Sequence, residues 1–302
     1  KYGDMQGNQT LSLDRMGKSA VVQELKRALE RLAPVKAPLL LTGEPGVGFE
    51  LAARFFHQPN TAWVMPTKPE QIADAPLDLL QKANQGVLFL PEIGSHSRRV
   101  QQGLLFLLSK LDRYNVRLVC ACSRPLHEMM ADVDYDKRLL TALSGVMLPL
   151  PSLRHQADDI IDLAQQVLAD LVENKQVPPH RFTTAALNSL RQYDWPGNLE
   201  QLRAIIKSLA LTAEAEEIDA VEVNRVLAQF RQDRPPEESG FDFSLPLREL
   251  REQIERRYFE YHIGQENGNM SRVANKVGLE RTHLYRKLKQ LGVTFTRRVL
   301  EE

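Results

Sequence analysis

Residues 39–54 read LLLTGEPGVGFELAAR, and the order of residue types in them sets the architecture of the chain. Leu39, Leu40 and Leu41 form the unbroken apolar run that a buried strand needs. Gly43, Gly46 and Gly48 then supply a tight turn around Glu44, Pro45 and Val47, and residues 50–56 have helix composition. Strand, glycine loop and helix in that order have the spacing of a phosphate-binding loop, G-x-x-x-x-G-K-[ST]. In such a loop backbone N–H groups cradle phosphates and the lysine neutralises the outer ones. Gly43 and Gly48 keep the spacing, but Phe49 stands at the lysine position and Glu50 follows it. An aromatic ring cannot replace an ammonium, so charge-assisted contacts of roughly 1.5–3 kcal/mol each are missing. The expectation is a loop that keeps its shape and loses its chemistry.

At 302 residues the chain has room for two or three domains, and 43% hydrophobic with 26% charged residues predicts packed cores. Lys plus Arg equals Asp plus Glu at 39 each, so any basic surface has to be local. No apolar run is long enough to cross a membrane and no signal-peptide pattern occurs, which predicts a cytoplasmic protein with no membrane partner. Cys120 and Cys122 share one face of an apolar strand and have no further cysteine to complete a zinc site. No metal and no cofactor is therefore expected. Nor does any nucleophile stand beside its base, so no enzymatic activity is expected. A chain that starts at Lys1 rather than Met leads us to expect a longer protein with an upstream domain.

Working outward from the loop, residues 1–13 have linker composition, and Val22, Leu25, Leu29 and Leu32 lie at helical spacing before the first strand. Residues 59–76 read as a proline-rich loop, followed by a short helix over 77–84. Strands are predicted at 86–90 and 116–122, with a helix over 100–111 between them. Alternating strands and helices argue for a parallel sheet covered on both faces over residues 14–150. After Pro151 no strand is expected. Helices over 158–173, 183–192, 198–213 and 218–230 make residues 151–232 a small helical domain, with Thr183 and Asn198 as caps and Trp195 packed inside. Residues 233–244 then read as a second linker.

Residues 245–302 begin with a long charged helix and end in two short ones, SRVANKVGLERTHLYRKL over 271–288. This has the grammar of a helix-turn-helix: Ser271 caps the first helix, Ala274 permits close approach, Gly278 turns the chain, and Leu284 and Leu288 pack the second helix. Ser271, Arg272, Arg281, Thr282, His283, Tyr285, Arg286, Lys287 and Lys289 are the candidate DNA contacts, since arginine reads guanine and lysine meets phosphate in a major groove. Leu247, Leu250, Ile254, Tyr258 and Tyr261 stripe the long helix, and two short helices cannot bury them. A second copy would, which predicts a homodimer on double-stranded DNA.

With these residues in hand, the chain resembles bacterial enhancer-binding proteins. These join an AAA+ domain that activates sigma-54 RNA polymerase to a Fis-type helix-turn-helix, and the resemblance is to response regulators of the NtrC and NtrX type. It rests on the loop already quoted, on GVLFLPEIG, LPLPSLRHQADDI and YDWPGNLEQLR, and on SRVANKVGLERTHLYRKLKQLG, in that order. It implies an α/β AAA+ fold, then an all-α lid and an all-α DNA-binding domain, with an upstream receiver domain and a sensor kinase as partner. The departures fall on family catalytic positions: Phe49 for the lysine, Pro91 before Glu92 for an Asp-Glu pair, and Ser123 for a sensor asparagine. Asp136 and Ala142 stand where arginine fingers lie, and Glu200 replaces a sensor arginine. Glu44, Glu50, Glu92 and Glu200 would crowd a phosphate site that has few cations to offset them. The family's sigma-contact loop finds no counterpart between His57 and Gly86.

These readings predict a DNA-binding transcriptional regulator of response-regulator type. Its AAA+-like domain would neither hydrolyse ATP nor contact sigma-54, and would serve as a dimerisation scaffold. The alternative is a regulator that senses a nucleotide or cyclic dinucleotide in the altered loop without hydrolysis, with Arg54, Arg98, Arg99 and Arg154 as the available cations.

Overall fold

Apolar runs too short for helices and flanked by glycine or polar turns form the strands of a parallel sheet. The structure, a computed structural model, describes residues 13–232 and 241–295. Residues 1–12 of the first expected linker, 233–240 of the second and 296–302 at the end of the chain lie outside the described residues.

After a 3-10 turn at Leu13–Met16, the sequence gives α1 (Ala20–Leu32), β1 (Leu39–Thr42), α2 (Phe49–Arg54) and β2 (Trp63–Val64). Next come α3 (Glu70–Asp74), α4 (Pro76–Lys82), β3 (Val87–Leu90), α5 (Arg98–Lys110) and β4 (Arg117–Cys122). Helices α6 (Leu126–Ala131) and α7 (Lys137–Leu143) lead to β5 (Met147–Pro149). The five strands are parallel in the order β2-β3-β4-β1-β5, with Leu39 opposite Val119 and Leu40 opposite Met147. Strand side chains alternate between faces. Leu40, Leu88, Leu90, Cys120 and Cys122 therefore face one helical layer with α5, while Leu39, Leu41, Phe89 and Val119 face the other with α1 and the loop. Two strands went unread in the sequence. β2 has only two residues, both half-buried, and β5 is an edge strand whose outer residues are exposed.

Beyond the sheet stand α8 (Ile160–Glu173), α9 (Thr184–Gln192), α10 (Asn198–Thr212) and α11 (Ala220–Gln232). Thr183 caps α9 as expected, its hydroxyl accepting from the Ala186 N–H at 3.1 Å. Trp195 is wholly buried, donates from Nε1 to the Leu190 carbonyl at 2.7 Å and meets Tyr193 edge-on. The expectation of no strand here fails: β6 (Arg181–Phe182) pairs with β7 (Glu217–Ile218), a ladder too brief to leave a period-2 pattern.

The chain divides into two compact units, residues 1–230 and 231–302. The second unit holds α12 (Leu247–Gln265), α13 (Met270–Val277) and α14 (Arg281–Leu291). Its own core comprises Phe259, Met270, Val273, Ala274, Leu284, Leu288, Leu291 and Val293. The cap of α13 is Asn269, whose side chain accepts from the Arg272 N–H at 3.3 Å, rather than Ser271, which lies one residue inside the helix. Gly278 occupies the left-handed region at φ 73°, as the turn requires. Among the described residues no helix is long and apolar enough to cross a membrane.

Candidate functional site

The glycine loop lies at the carboxyl end of β1, where strand order reverses and α/β sheets open a crevice. Gly46 has φ 81° and Gly48 φ 101°, and a Cβ on Gly46 would collide with the Gly197 carbonyl oxygen. The lid is therefore pressed directly on the loop. Asn198, expected as a cap, has a different role. It sits at φ 54°, is completely buried, and ties three segments together. Its Oδ1 accepts from the Leu153 N–H at 2.7 Å, and its Nδ2 donates to the Pro45 carbonyl at 3.0 Å. The Glu200 N–H donates to the Gly46 carbonyl at 3.2 Å. Behind the loop, the Asp159 carboxylate accepts from the N–H groups of Lys18 and Ser19, and Arg15 pairs with Asp170 of α8 at 3.1 Å.

Loop, sheet ends and lid enclose a cleft of about 550 Å³ lined by Gly46, Gly48, Phe49, Phe89, Leu199 and Arg203, with Glu50, Pro91 and Glu200 also on its wall. Phe49 is half-buried and packs with the loop-side core. Asp170 also lines the cleft. Burial pushes its carboxyl above the usual range, against the pull of the Arg15 and Arg203 charges.

Of the four carboxylates expected to crowd the site, Glu44, Glu50 and Glu92 have partners in the structure, while Glu200 stands on the cleft wall. Glu44 is held in a two-pronged pair by Arg154 at 2.8 and 2.7 Å, and Glu50 pairs with Arg54 at 3.3 Å. Glu92 accepts from the Ser123 N–H at 2.9 Å, the Ser123 hydroxyl at 2.7 Å and the Gly94 N–H at 2.9 Å. Ser123 thus acts as a fixed donor to Glu92. Asp136 caps α7 and holds Arg138 at 2.8 Å, which keeps its own carboxyl down at about 2. Arg98 and Arg99 are turned to Asp134 and Asp74, away from the cleft lining. The cations that do line it, Arg15 and Arg203, were missed. Arg203 follows Glu200 at i+3, so helical spacing alone could have placed it on the same face.

In the second unit, Leu284, Leu288 and Leu291 bury one face of α14, which leaves Thr282, Arg286 and Lys289 on the opposite face. These three are exposed, as are Ser271, Arg272, Arg281 and His283. Tyr285 is half-buried with its ring 5.1 Å from that of Phe295. Lys287 is drawn back to Glu255 of α12 at 3.0 Å, and Arg256 donates to the Leu291 carbonyl at 3.0 Å. Those two contacts fix the angle at which α14 is presented.

Comparison with known proteins matches residues 16–153 to the sigma-54 interaction domain, residues 154–240 to the AAA+ ATPase lid domain, and residues 250–291 to the bacterial regulatory proteins of the Fis family. The nitrogen assimilation regulatory protein NtrX of Azorhizobium caulinodans is 30% identical over 92% of this chain and 69% of its own length. The DNA-binding transcriptional regulator NtrC of Rhizobium meliloti is 27% identical, over 93% of this chain and 70% of its length. Among solved structures, NtrX from Brucella abortus in complex with ATP superposes with a TM-score of 0.64 at 29% identity, covering 92% of this chain and 69% of that one. The same protein is also solved with ADP. These findings overturn the expectation that the chain is not an enzyme, because they place it among AAA+ ATPases, beside a relative whose structure contains ATP. The chain belongs to the NtrC-type, enhancer-binding transcriptional regulators, with an AAA+ sigma-54 interaction domain, its lid and a Fis-type helix-turn-helix.

Proposed function

We propose that this protein regulates transcription as a homodimer that binds a specific DNA sequence through α14 and takes ATP in the cleft between loop and lid. The observation that carries the DNA reading is the face of α14 on which Thr282, Arg286 and Lys289 stand opposite a fully buried leucine seam. A helix so presented suits a major groove, with arginine for guanine and lysine for phosphate. Homodimerisation is supported by α12, whose Leu247, Ile254, Tyr258 and Tyr261 stay exposed. The span from His57 to Gly86 holds only β2, α3 and α4 and their short connections, so the AAA+ domain has no sigma-contact loop and works as a dimerisation scaffold. By kinship with NtrX and NtrC, a receiver domain upstream and a sensor kinase complete the system, in the cytoplasm.

The test is footprinting on DNA recovered by binding selection, with wild type beside an Arg286→Ala, Lys289→Ala variant. The expected outcome is a protected site lost in the variant, with roughly 1–3 kcal/mol per base-reading arginine and a shallower salt dependence for the lysine. Equal protection by both proteins would overturn the assignment of α14 as the reading helix.

A further inference from the structure

The loop has no lysine, yet the cleft is not without a cation, and its position is set by helix geometry. Besides Asn198, Leu199 and Glu200 of α10 touch the loop. A Cβ on Gly48 would lie 3.1 Å from Leu199 Cδ1, and one on Gly46 would lie 3.2 Å from Glu200 Cβ. Arg203 follows them by one turn on the same face and lines the same cleft. Helical side chains lean back toward the helix N-terminus, and the N-terminus of α10 is the end that abuts the loop. Arg203 is exposed and, among the described residues, makes no ion pair at hydrogen-bond distance. The other basic groups around the cleft are already engaged: Arg15 by Asp170, Arg54 by Glu50, and Arg154 by Glu44.

The residues present also fit the shape of a nucleotide. Gly46 and Gly48 bring the loop to the wall of the cleft, and Phe49, Phe89 and Leu199 offer apolar walls. Resting on the reading of the cleft as a nucleotide site, we propose that Arg203 of the lid is the phosphate-binding cation of this cleft, replacing from across it the lysine that Phe49 displaces. Glu200, one turn earlier on the same face, opposes it and weakens the site. The ligand class is a nucleoside di- or triphosphate, held by a guanidinium fork rather than by an ammonium point charge. Because that guanidinium comes from the lid, bound phosphate adds a further bridge to the joint that Asn198 and Glu200 already make with the loop.

The experiment is calorimetric titration of the whole chain with ADP and with ATP and magnesium, at low and high salt. The variants are Arg203→Ala, Arg203→Lys and Glu200→Gln, with Arg181→Ala as a control outside the cleft. Arg203→Ala should weaken ADP at least ten-fold and flatten the salt dependence. Arg203→Lys should keep the salt dependence with part of the affinity, Glu200→Gln should tighten binding, and Arg181→Ala should match wild type. Unchanged DNA footprints and unchanged unfolding without nucleotide would show that Arg203→Ala leaves the fold intact. A wild-type chain that binds no nucleotide would overturn the reading of the cleft and this inference with it. Wild-type binding that is indifferent to Arg203→Ala would overturn this inference alone.

Discussion

At the scale of single residues, Asn198 carries the joint between lid and loop. An asparagine after a Trp-Pro-Gly turn reads as a cap, because capping needs only local sequence. Its actual partners lie at Leu153 and Pro45, and nothing in a linear reading brings them near. The same holds for Arg203, whose relation to the loop exists only once the lid is folded against it. Asn198→Ala would strand a buried N–H and a carbonyl and place a Cβ residue at positive φ with no side-chain compensation. A loss of about 2–4 kcal/mol follows in urea unfolding, and a cost below about 1 kcal/mol would sink the idea that these bonds hold the joint. His96 gives a second prediction. It is buried, its Nδ1 has no partner among the described residues, and burial holds its pKa below the ordinary 6.5 despite the opposing charges of Glu92 and Glu70. The folded state therefore disfavours the protonated imidazole. The stabilisation is complete above the unfolded pKa near 6.5 and drains away as pH falls through that value toward the lower folded pKa. Stability should drop as pH falls below the ordinary imidazole range near 6.5, and His96→Gln should flatten the slope; identical slopes in both proteins would refute the assignment.

At the scale of elements, legibility followed length and burial. β1, β3 and β4 were readable because four or more residues run nearly continuously buried. β2, β6 and β7 have two residues each, and β5 exposes Met147 and Pro149 at the sheet edge, so none carries a strand pattern. The helix-turn-helix was readable because Ala274, Gly278, Leu284 and Leu288 answer local demands of packing and turning. Which basic residues of α14 face outward was only half legible. Lys287 and Lys289 look alike in sequence, and only the fold assigns the first to Glu255. The stripe on α12 is an element-scale claim and can be tested as one. Phe259 points into the unit's own core while Ile254 and Tyr258 remain 40% and 45% exposed, so this face is free to bury itself against a second copy. Ile254→Glu with Tyr258→Glu should turn a dimer into a monomer in sedimentation while helical circular dichroism is unchanged. A monomeric wild type, or an unaltered dimer in the double variant, would remove α12 from the interface.

At the scale of the whole molecule, the division into residues 1–230 and 231–302 has a thermodynamic consequence. Three apolar clusters belong to the first unit, on either side of the sheet and inside the lid, whereas the second unit has its own, centred on Phe259, Leu284 and Leu288. Cooperative unfolding needs a shared core, and separate cores allow separate transitions. Scanning calorimetry of the full chain should therefore resolve two endotherms, the larger from the larger unit because unfolding enthalpy scales with residues ordered. Ligands then report which unit they bind, since a ligand at a hundred times its Kd adds about 2.7 kcal/mol to the state that holds it. ATP with magnesium should raise only the larger transition and specific DNA only the smaller. That outcome would mean that, within one chain, the state of the cleft does not act on DNA occupancy through a common fold. A single endotherm raised by both ligands would mean the reverse, that the two units unfold as one body and that nucleotide binding acts directly on the affinity of α14 for DNA.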